Sequence, residues 1–316
     1  MTLQQLYYAM ALCQHGSYVK AAQSLGISQP ALSVQIRKLE DQTDLQLFDR
    51  TRNAIRPTYE GEIFLDRAQL LLTQFSQLKS LAQELHEEFA GDIRLGIIPT
   101  LAPYLLPLFI SDLNDQYSRL QIHVTEALTE EIVIGIKDGT LDAGIISTPI
   151  SSKVPLTKTP LFYEEFRLFV STGHPLFEEQ TIAVPDIPLE DLLLLKEGNC
   201  FRDQVDNICD IARRQVSNDL FYFESNSIES LCRIVQFKGG LTFLPELTTL
   251  HFSIEHEDMI KKLEGPKRVR EISIVHLPNN IKTTKLSKLK DVIQQSLPKK
   301  YLGKEGKQLI KTNVNL

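Results

Sequence analysis

The chain has 316 residues, of which 42% are hydrophobic, and a formal net charge of −6 at pH 7. This length suits two or three compact units with ample core. The sequence has no apolar run of the roughly 18 residues that a membrane-spanning helix needs. Its first residues, MTLQQLYYAM, lack the basic and apolar regions of a signal peptide, so we expect a cytoplasmic protein.

The positive charges are unevenly distributed. Residues 1–60 carry slightly more basic than acidic side chains, although the whole chain is acidic. Arg50, Arg52 and Arg56 form the densest basic cluster in this segment. Because nucleic-acid binding depends on where positive charge lies rather than on its sum, the net charge does not exclude a DNA-binding segment here.

Three short helices are predicted at the N-terminus. Thr2 and Gln5 form the capping-box pattern that opens a first helix, and Gly16 ends it. A second helix follows, and Ser28 then caps a third, whose first turn tolerates Pro30. Short helices joined by a glycine-containing turn predict a helix-turn-helix.

The third predicted helix carries a polar stripe. Gln29, Ser33 and Arg37 are spaced by four residues, so they share one face. The major groove of DNA accepts a helix, and Gln and Arg side chains make bidentate contacts with base edges there. We therefore expect this face to contact DNA. A small helical bundle with a solvated polar face is the alternative that the helix pattern alone leaves open.

Two segments of this region resemble the LysR-type transcriptional regulators. They are AAQSLGISQPALSVQIRKLE (21–40) and LQLFDRTRNAIRPTYEG (45–61). The resemblance implies a winged helix-turn-helix, with double-stranded operator DNA and RNA polymerase as partners. It implies that the helix residues Gln29, Pro30, Ser33 and Arg37 lie at the DNA and that the wing residues Arg50, Arg52 and Arg56 approach its phosphates.

An apolar repeat with alternating steps of four and three follows. Its members are Phe64, Ala68, Leu71, Phe75, Leu78, Ala82, Leu85 and Phe89. Such a heptad seam predicts one long helix, from about residue 59 to 89, that pairs with a second copy. We therefore expect a homodimer, and the LysR resemblance adds a dimer of dimers. A helix packed on its own domain is the alternative.

After Gly91, predicted strands alternate with helices, which indicates an α/β fold with a parallel sheet. The predicted strands are 93–98, 121–126, 142–146, 161–170, 192–196, 220–224, 241–244 and 272–277. The first predicted helix of this region begins at Pro103. The others cover 129–137, 202–215, 227–238 and 284–297.

The LysR resemblance gives this pattern a domain organisation. It implies a two-lobed, periplasmic-binding-protein-like effector domain, with lobe one at 91–165 and 267–300 and lobe two at 166–266. The winged helix-turn-helix then occupies 1–58 and the linker helix 59–90. Residues 301–316 are expected to be a polar tail.

Four cysteines, Cys13, Cys200, Cys209 and Cys232, match no zinc-binding spacing, so we expect no metal and no cofactor. Cys13 and Cys232 lie among apolar residues and are expected in cores. The spacing of the other two does not by itself distinguish a redox pair from chance. However, LLLLKEGNCFRDQVDNIC (192–209) and SNSIESLCRIVQFKGGLTFLPEL (225–247) resemble the peroxide-sensing members of the LysR family.

That resemblance implies a regulator of oxidative-stress genes, an activator rather than an enzyme, with hydrogen peroxide and a cellular thiol reductant as partners. Cys200 would be oxidised to a sulfenic acid, which Cys209 would resolve to a disulfide. The expected peroxide pocket consists of Thr100, Thr129, Asn199, Arg202, Asp203 and Arg270. Asn199 stands where these relatives commonly have a histidine, and it cannot titrate near neutral pH.

Two physical expectations concern this cysteine pair. A helix N-terminus at Cys200 and the neighbouring Arg202 should lower the pKa of the thiol. If one helix joins Cys200 to Cys209, they lie about 13 Å apart along it, whereas a disulfide needs Cα atoms within about 7 Å. Oxidation must then unwind the helix.

Two other functions fit the sequence. One is a LysR-type regulator that binds a small-molecule co-inducer between its lobes, held by Thr100 and Thr129. The other is a thiol peroxidase with an attached DNA-binding domain. The operator sequence, the target genes and the choice between activation and repression do not follow from the residues.

Overall fold

A computed structural model describes residues 1–50, 54–84, 91–210, 225–252 and 254–314. The chain divides into two compact units, Met1–Glu88 with Asp138–Thr140 and Phe89–Lys137 with Leu141–Leu316. Within the described ranges, none of the helices has both the length and the apolar character needed to cross a membrane.

The first unit is a three-helix domain with a short hairpin and a long helix. Its elements are α1 (Leu3–His15), α2 (Tyr18–Ser24), α3 (Gln29–Thr43), β1 (Phe48–Asp49), β2 (Arg56–Pro57) and α4 (Tyr59–Glu84). The Thr2–Gln5 capping box opens α1, Gly16 closes it in the left-handed conformation, and Ser28 caps α3. These local signals were all readable in the sequence, which is why the predicted helices form where expected.

The antiparallel β1–β2 hairpin is attached to α3 by Glu40. One Glu40 oxygen accepts hydrogen bonds from the Leu47 (2.9 Å) and Phe48 (3.2 Å) amides, and the other pairs with Arg50. Leu47 and Phe48 are fully buried in the core of the unit. The carboxylate thus fixes where the hairpin leaves the helical core.

Helix α4 has two apolar faces. Leu65, Ala68 and Leu72 are buried against the helix-turn-helix core. Leu71 and Leu78 point away from it and are 43% and 62% exposed. Packing on its own domain therefore accounts for two predicted seam residues, Ala68 and the half-buried Phe64, but leaves these two leucines open to a partner.

The remaining seam residues fall into two groups. Phe75 is half-buried. Leu85 and Phe89 lie outside the described residues, and nothing is described of the Ala82 side chain. The homodimer stays a prediction.

The second unit is a mixed sheet with helices packed on it. Its strands are β3 (Gly91–Ile97), β4 (Leu120–Glu126), β5 (Ala143–Thr148), β6 (Thr157–Val170), β7 (Thr181–Ile182), β8 (Leu192–Leu193), β9 (Leu241–Pro245), β10 (Ile260–Leu263), β11 (Lys267–His276) and β12 (Lys307–Leu309). Its helices are α5 (Ala102–Gln116), α6 (Thr129–Asp138), α7 (Cys200–Cys209), α8 (Ile228–Lys238), α9 (Ile254–Glu257) and α10 (Thr283–Ser296).

The strand directions correct one expectation. Strand β3 pairs in parallel with β4 and β5, but β11 lies antiparallel between β5 and β6. The sheet is therefore mixed rather than parallel, because the chain inserts a late strand beside early ones. Strand order in space was not contained in the local pattern.

The second unit has two apolar cores, and β6 contributes to both. One core includes Phe162 of β6 and Ile272 of β11, and the other includes Phe166 and Leu168 of β6. Along β6, the partner strand changes from β11, up to Glu165, to β9 from Phe166 onward. The predicted helix 202–215 ends at Cys209, and residues 211–224, which include a predicted strand, lie outside the described ranges.

The C-terminal segment is not the polar tail that was expected. Tyr301 and Ile310 are buried, and β12 pairs in parallel with β11. The physical reason is that a few apolar residues in a mostly polar stretch suffice to dock it. That docking uses the start of β11, Lys267–Val269, which extends beyond its pairing with β5, and the sequence does not reveal this extension.

Candidate functional site

The predicted DNA-contacting residues form an exposed surface of the first unit. Gln29, Pro30 and Arg37 on α3 are exposed, and Ser33 is half-buried. Arg56 on β2 is also exposed. This surface presents the side-chain types that read base edges and phosphates.

Two wing arginines differ from this description. Arg50 is exposed but pairs with Glu40, so its charge is partly compensated within the unit. Arg52 lies outside the described residues. The DNA-binding roles of all these side chains stay predictions.

We expect Arg37→Ala to weaken binding to a specific DNA site by about 1–3 kcal/mol, the usual value of one bidentate base contact. The measurement is fluorescence anisotropy at fixed salt, on a site selected from random duplexes by the protein itself. Lys38→Ala, on the neighbouring face of α3, is the matched control and is expected to lower affinity without changing sequence preference. Equal losses on specific and random DNA for Arg37→Ala would contradict a base-reading role.

In the second unit, Cys200 and Cys209 are the first and last residues of α7. Asn199 caps this helix, since its Oδ1 accepts a hydrogen bond from the Phe201 amide at 3.1 Å. Both cysteines are thiols, with exposed fractions of 2% and 1%. A rise of 1.5 Å per residue puts them about 13 Å apart along the intact helix. A disulfide between them is therefore incompatible with this conformation.

Next to Cys200 lies a buried ion pair, Arg270 with Glu164. The two residues are register partners on β11 and β6, with Nε and Nη2 of the arginine 2.9 and 2.8 Å from the same carboxylate oxygen. The other oxygen accepts from the Leu247 amide at 3.0 Å. The arginine also donates to Oγ1 (2.8 Å) and O (3.1 Å) of Thr100 and lies over the Phe201 ring. Each of the three guanidinium nitrogens thus has at least one acceptor.

Burial raises the pKa of the Cys200 thiol. The positive charge of Arg270 and the Thr129 hydroxyl lower it, and the Asp203 carboxylate raises it. The expectation of a lowered pKa is therefore wrong for this conformation. The reason is that the thiol is removed from water and that the nearest cation is already paired with Glu164.

Two polar atoms at this site have no hydrogen-bond partner among the described residues. They are Oγ1 of Thr129 and Nδ2 of Asn199, and both are buried. The Thr129 hydroxyl lies close enough to the Cys200 thiol to lower its pKa, although no hydrogen bond of standard geometry joins them. Unpaired buried polar groups are costly and uncommon, so a small polar molecule bound here would stabilise the site.

Other predicted pocket residues lie differently. Arg202 pairs with Asp206, one turn along α7, at 3.0 Å. Asp203 is half-buried, and burial raises the pKa of its carboxyl. The helix therefore turns the Arg202 side chain toward its own surface, while Asp203 remains close enough to influence Cys200.

Sequence reasoning missed three residues of this site. They are Glu164, whose carboxylate holds Arg270, Ser147, whose backbone interacts with the Cys200 thiol, and Gln204, which accepts a 3.3 Å hydrogen bond from Ser147 Oγ. Glu164 had a signal, since alternation along β6 puts it on the same face as the buried Phe162 and Phe166. A carboxylate on a buried face requires a partner.

Comparisons with known proteins cover both units. The model of the LysR substrate binding domain matches residues 86–298, and that of the bacterial regulatory helix-turn-helix proteins of the lysR family matches residues 3–62. The chain is 31% identical over 297 residues to the hydrogen peroxide-inducible genes activator of Dickeya chrysanthemi, covering 94% of this chain and 96% of that protein.

Two solved structures are similar over nearly the whole chain. A full-length OxyR variant from Pseudomonas aeruginosa superposes with a TM-score of 0.74 at 29% identity, covering 93% of this chain and 95% of that one. An H2O2-bound OxyR mutant from Corynebacterium glutamicum gives 0.60 at 25% identity, covering 93% and 92%. The similarities confirm the predicted fold class, and the relatives they identify are regulators rather than enzymes.

Proposed function

Because this chain belongs to the LysR family of bacterial DNA-binding transcriptional regulators, we propose that it senses hydrogen peroxide by forming a Cys200–Cys209 disulfide and thereby controls oxidative-stress genes. The observation that carries the proposal is the position of the two thiols at opposite ends of one helix, α7. The relative from Dickeya chrysanthemi is named for peroxide-inducible genes, and the Corynebacterium glutamicum structure contains H2O2. Both names add support.

The first step is oxidation of Cys200. Peroxide would bind beside Cys200, where Thr129 Oγ1 and Asn199 Nδ2 have no hydrogen-bond partner among the described residues. The sulfur attacks one peroxide oxygen, the O–O bond breaks, and the thiol proton goes to the departing hydroxide. The products are the Cys200 sulfenic acid and one water.

The second step joins the two cysteines. The Cys209 sulfur attacks the sulfenic sulfur, the S–O bond breaks, and the hydroxide leaves with the Cys209 proton as a second water. Together, two thiols and one hydrogen peroxide give one disulfide and two waters. Because α7 cannot remain helical with this bond, the effector domain changes conformation, and this changes how the DNA-binding units meet the operator.

The proposal carries the predicted partners with it. These are a second copy of the chain meeting Leu71 and Leu78 of α4, a dimer of such dimers, double-stranded operator DNA, RNA polymerase and a cellular thiol reductant. It also places the protein in the cytoplasm.

Peptide mapping tests the proposal directly. Reduced protein is treated with one equivalent of H2O2, its remaining thiols are alkylated, and its peptides are analysed by mass spectrometry. We expect a linked pair of peptides containing Cys200 and Cys209, and the same link in the control variant Cys232→Ser. Peroxide-treated protein in which both thiols are alkylated would overturn the proposal.

The raised pKa of Cys200 predicts a steep pH dependence for the first step. Below its pKa, a thiol gains thiolate about tenfold per pH unit, and the thiolate is the nucleophile. We therefore expect the rate of Cys200 oxidation to rise about tenfold per unit between pH 6 and 8, measured in Cys209→Ser by quenched flow and mass spectrometry. A flat profile over this range would indicate a pKa below it.

A cavity favours a second candidate function. It has a volume of about 230 Å³ and is lined by residues that include Tyr104, Glu126 and Glu229. Thr100 and Thr129, which were expected to hold such a ligand, are not among the lining residues. A cavity of this kind suits a small-molecule co-inducer, as in a ligand-sensing LysR regulator. A thermal-shift screen with metabolites, beside the peroxide response of Cys200→Ser, separates the two functions. Ligand stabilisation together with a peroxide response that this substitution leaves intact would favour the co-inducer.

A further inference from the structure

The C-terminal segment 307–314, here called the C-terminal strap, is fixed along the second unit. Its first residues form β12 beside β11, and the Ile310 amide donates to the Val269 carbonyl at 2.9 Å. Further along, Thr312 Oγ1 donates to the Pro149 carbonyl at 2.7 Å. The strap lies beyond residue 298, where the match to the LysR substrate binding domain ends. The strap itself therefore lies outside the residues that the domain model matches.

The strap is hydrogen-bonded to α7, between the two cysteines. Gln204 Nε2 donates to the Ile310 carbonyl at 2.8 Å. Asn207 Nδ2 donates to the Lys311 carbonyl and to Asn313 Oδ1, both at 3.0 Å. Residues three apart share one face of a helix, so these contacts align on one side of α7.

Gln204 is the central member of this arrangement. It is fully buried, it accepts from Ser147 Oγ at 3.3 Å, and Ser147 in turn contacts the Cys200 thiol through its backbone. The Asn313 backbone amide lowers the pKa of the Asp203 carboxyl, which acts on the same thiol. The strap is thus linked to the environment of Cys200 at two points.

We infer that the C-terminal strap stabilises the helical, dithiol form of α7, with Gln204 and Asn207 as positioning residues, and that formation of the Cys200–Cys209 bond releases it. This inference rests on the proposed function. Both side chains lie inside the segment that must shorten from about 13 Å to within about 7 Å for the bond to form. Their hydrogen bonds to the strap depend on helical spacing, so they are lost when α7 unwinds.

Limited proteolysis tests the release. Trypsin can cut the strap after Lys307 and Lys311, and in the dithiol form these residues lie in β12 and in the contact with Asn207. We expect cleavage at these two sites, followed by intact mass, to be at least about tenfold faster in the peroxide-oxidised full-length protein, as expected when local protection is lost. Equal cleavage rates in protein whose disulfide is confirmed by peptide mapping would overturn the inference and leave the proposed function standing. Absence of the disulfide would overturn both.

A substitution tests the stabilisation. Asn207→Ser keeps a residue of similar helix propensity but is too short to reach the strap. We expect it to shift the glutathione ratio at half-oxidation about tenfold toward more reducing conditions, because two hydrogen bonds present only in the dithiol form are lost. Lys311→Ala is the matched control, since it keeps the carbonyl that Asn207 contacts, and it is expected to stay within about twofold of wild type. A shift for Asn207→Ser no larger than that of the control would overturn the inference.

Discussion

Arg270→Met is expected to destabilise the second unit by about 3–5 kcal/mol, the usual cost of removing one partner of a buried ion pair. Glu164 would keep only the Leu247 amide as a partner, while remaining fully buried. Urea unfolding followed by circular dichroism measures the loss. Arg268→Met, on the same strand but half-buried, is the control, and its expected cost is below about 1 kcal/mol.

Two further measurements show whether the uncompensated carboxylate causes the loss. Arg270→Met combined with Glu164→Gln is expected to recover at least about 2 kcal/mol, since replacing both partners removes the buried charge.

Burial already raises the pKa of Glu164, and loss of the arginine raises it further. A group with a raised native pKa stabilises the protein at low pH and loses that contribution as pH rises. The single variant should therefore be closer to wild type at pH 5 than at pH 7, and equal deficits at both would contradict this explanation.

The second large effect concerns the chemistry of Cys200. Cys200→Ser is expected to slow disulfide formation and peroxide reduction by at least roughly 100-fold, because a serine hydroxyl is a much weaker nucleophile than a thiolate. Cys209→Ser is expected to stop after one step, with the mass of one added oxygen and a product that reacts with dimedone. Both outcomes are read by intact mass after a peroxide pulse.

Cys232→Ser provides the reference for these variants. Cys232 is buried on α8, and burial raises the pKa of its thiol to about 12, so it is expected to be inert and its removal to leave oxidation unchanged. If Cys200→Ser still formed a disulfide involving Cys209, another thiol would be the sensor. That result would reassign the site.

Much of the fold was predictable because its signals are local. The Thr2–Gln5 capping box, the left-handed Gly16 and the alternation in the early strands each depend on a few neighbouring residues. The order of strands was not predictable in the same way. Strand β11 lies between β5 and β6, although about a hundred residues separate it from them in the chain, and no local pattern records that insertion.

The site was predicted less completely than the fold, for a related reason. The cysteines, Thr100, Thr129 and Arg270 came from resemblance to a family rather than from the physics of the residues. Glu164 was missed although its carboxylate holds Arg270, whose charge lowers the Cys200 pKa. Burial reversed the expected direction of that pKa. Burial and pairing are properties of the assembled sheet, and neighbouring residues in sequence, such as Arg202, are poor guides to them.

The burial of both sulfur atoms determines which oxidants and reductants can reach the two cysteines. Both thiols are almost fully covered, so a protein-sized oxidant or reductant cannot touch either of them while α7 is intact. A reducing enzyme meets the disulfide only after the helix has opened. Under the proposed function, only a small oxidant can therefore start activation. The rate at which the disulfide is reduced again depends on how accessible the opened segment is to the reducing enzyme. Natural selection can then adjust how fast the response begins independently of how long it lasts.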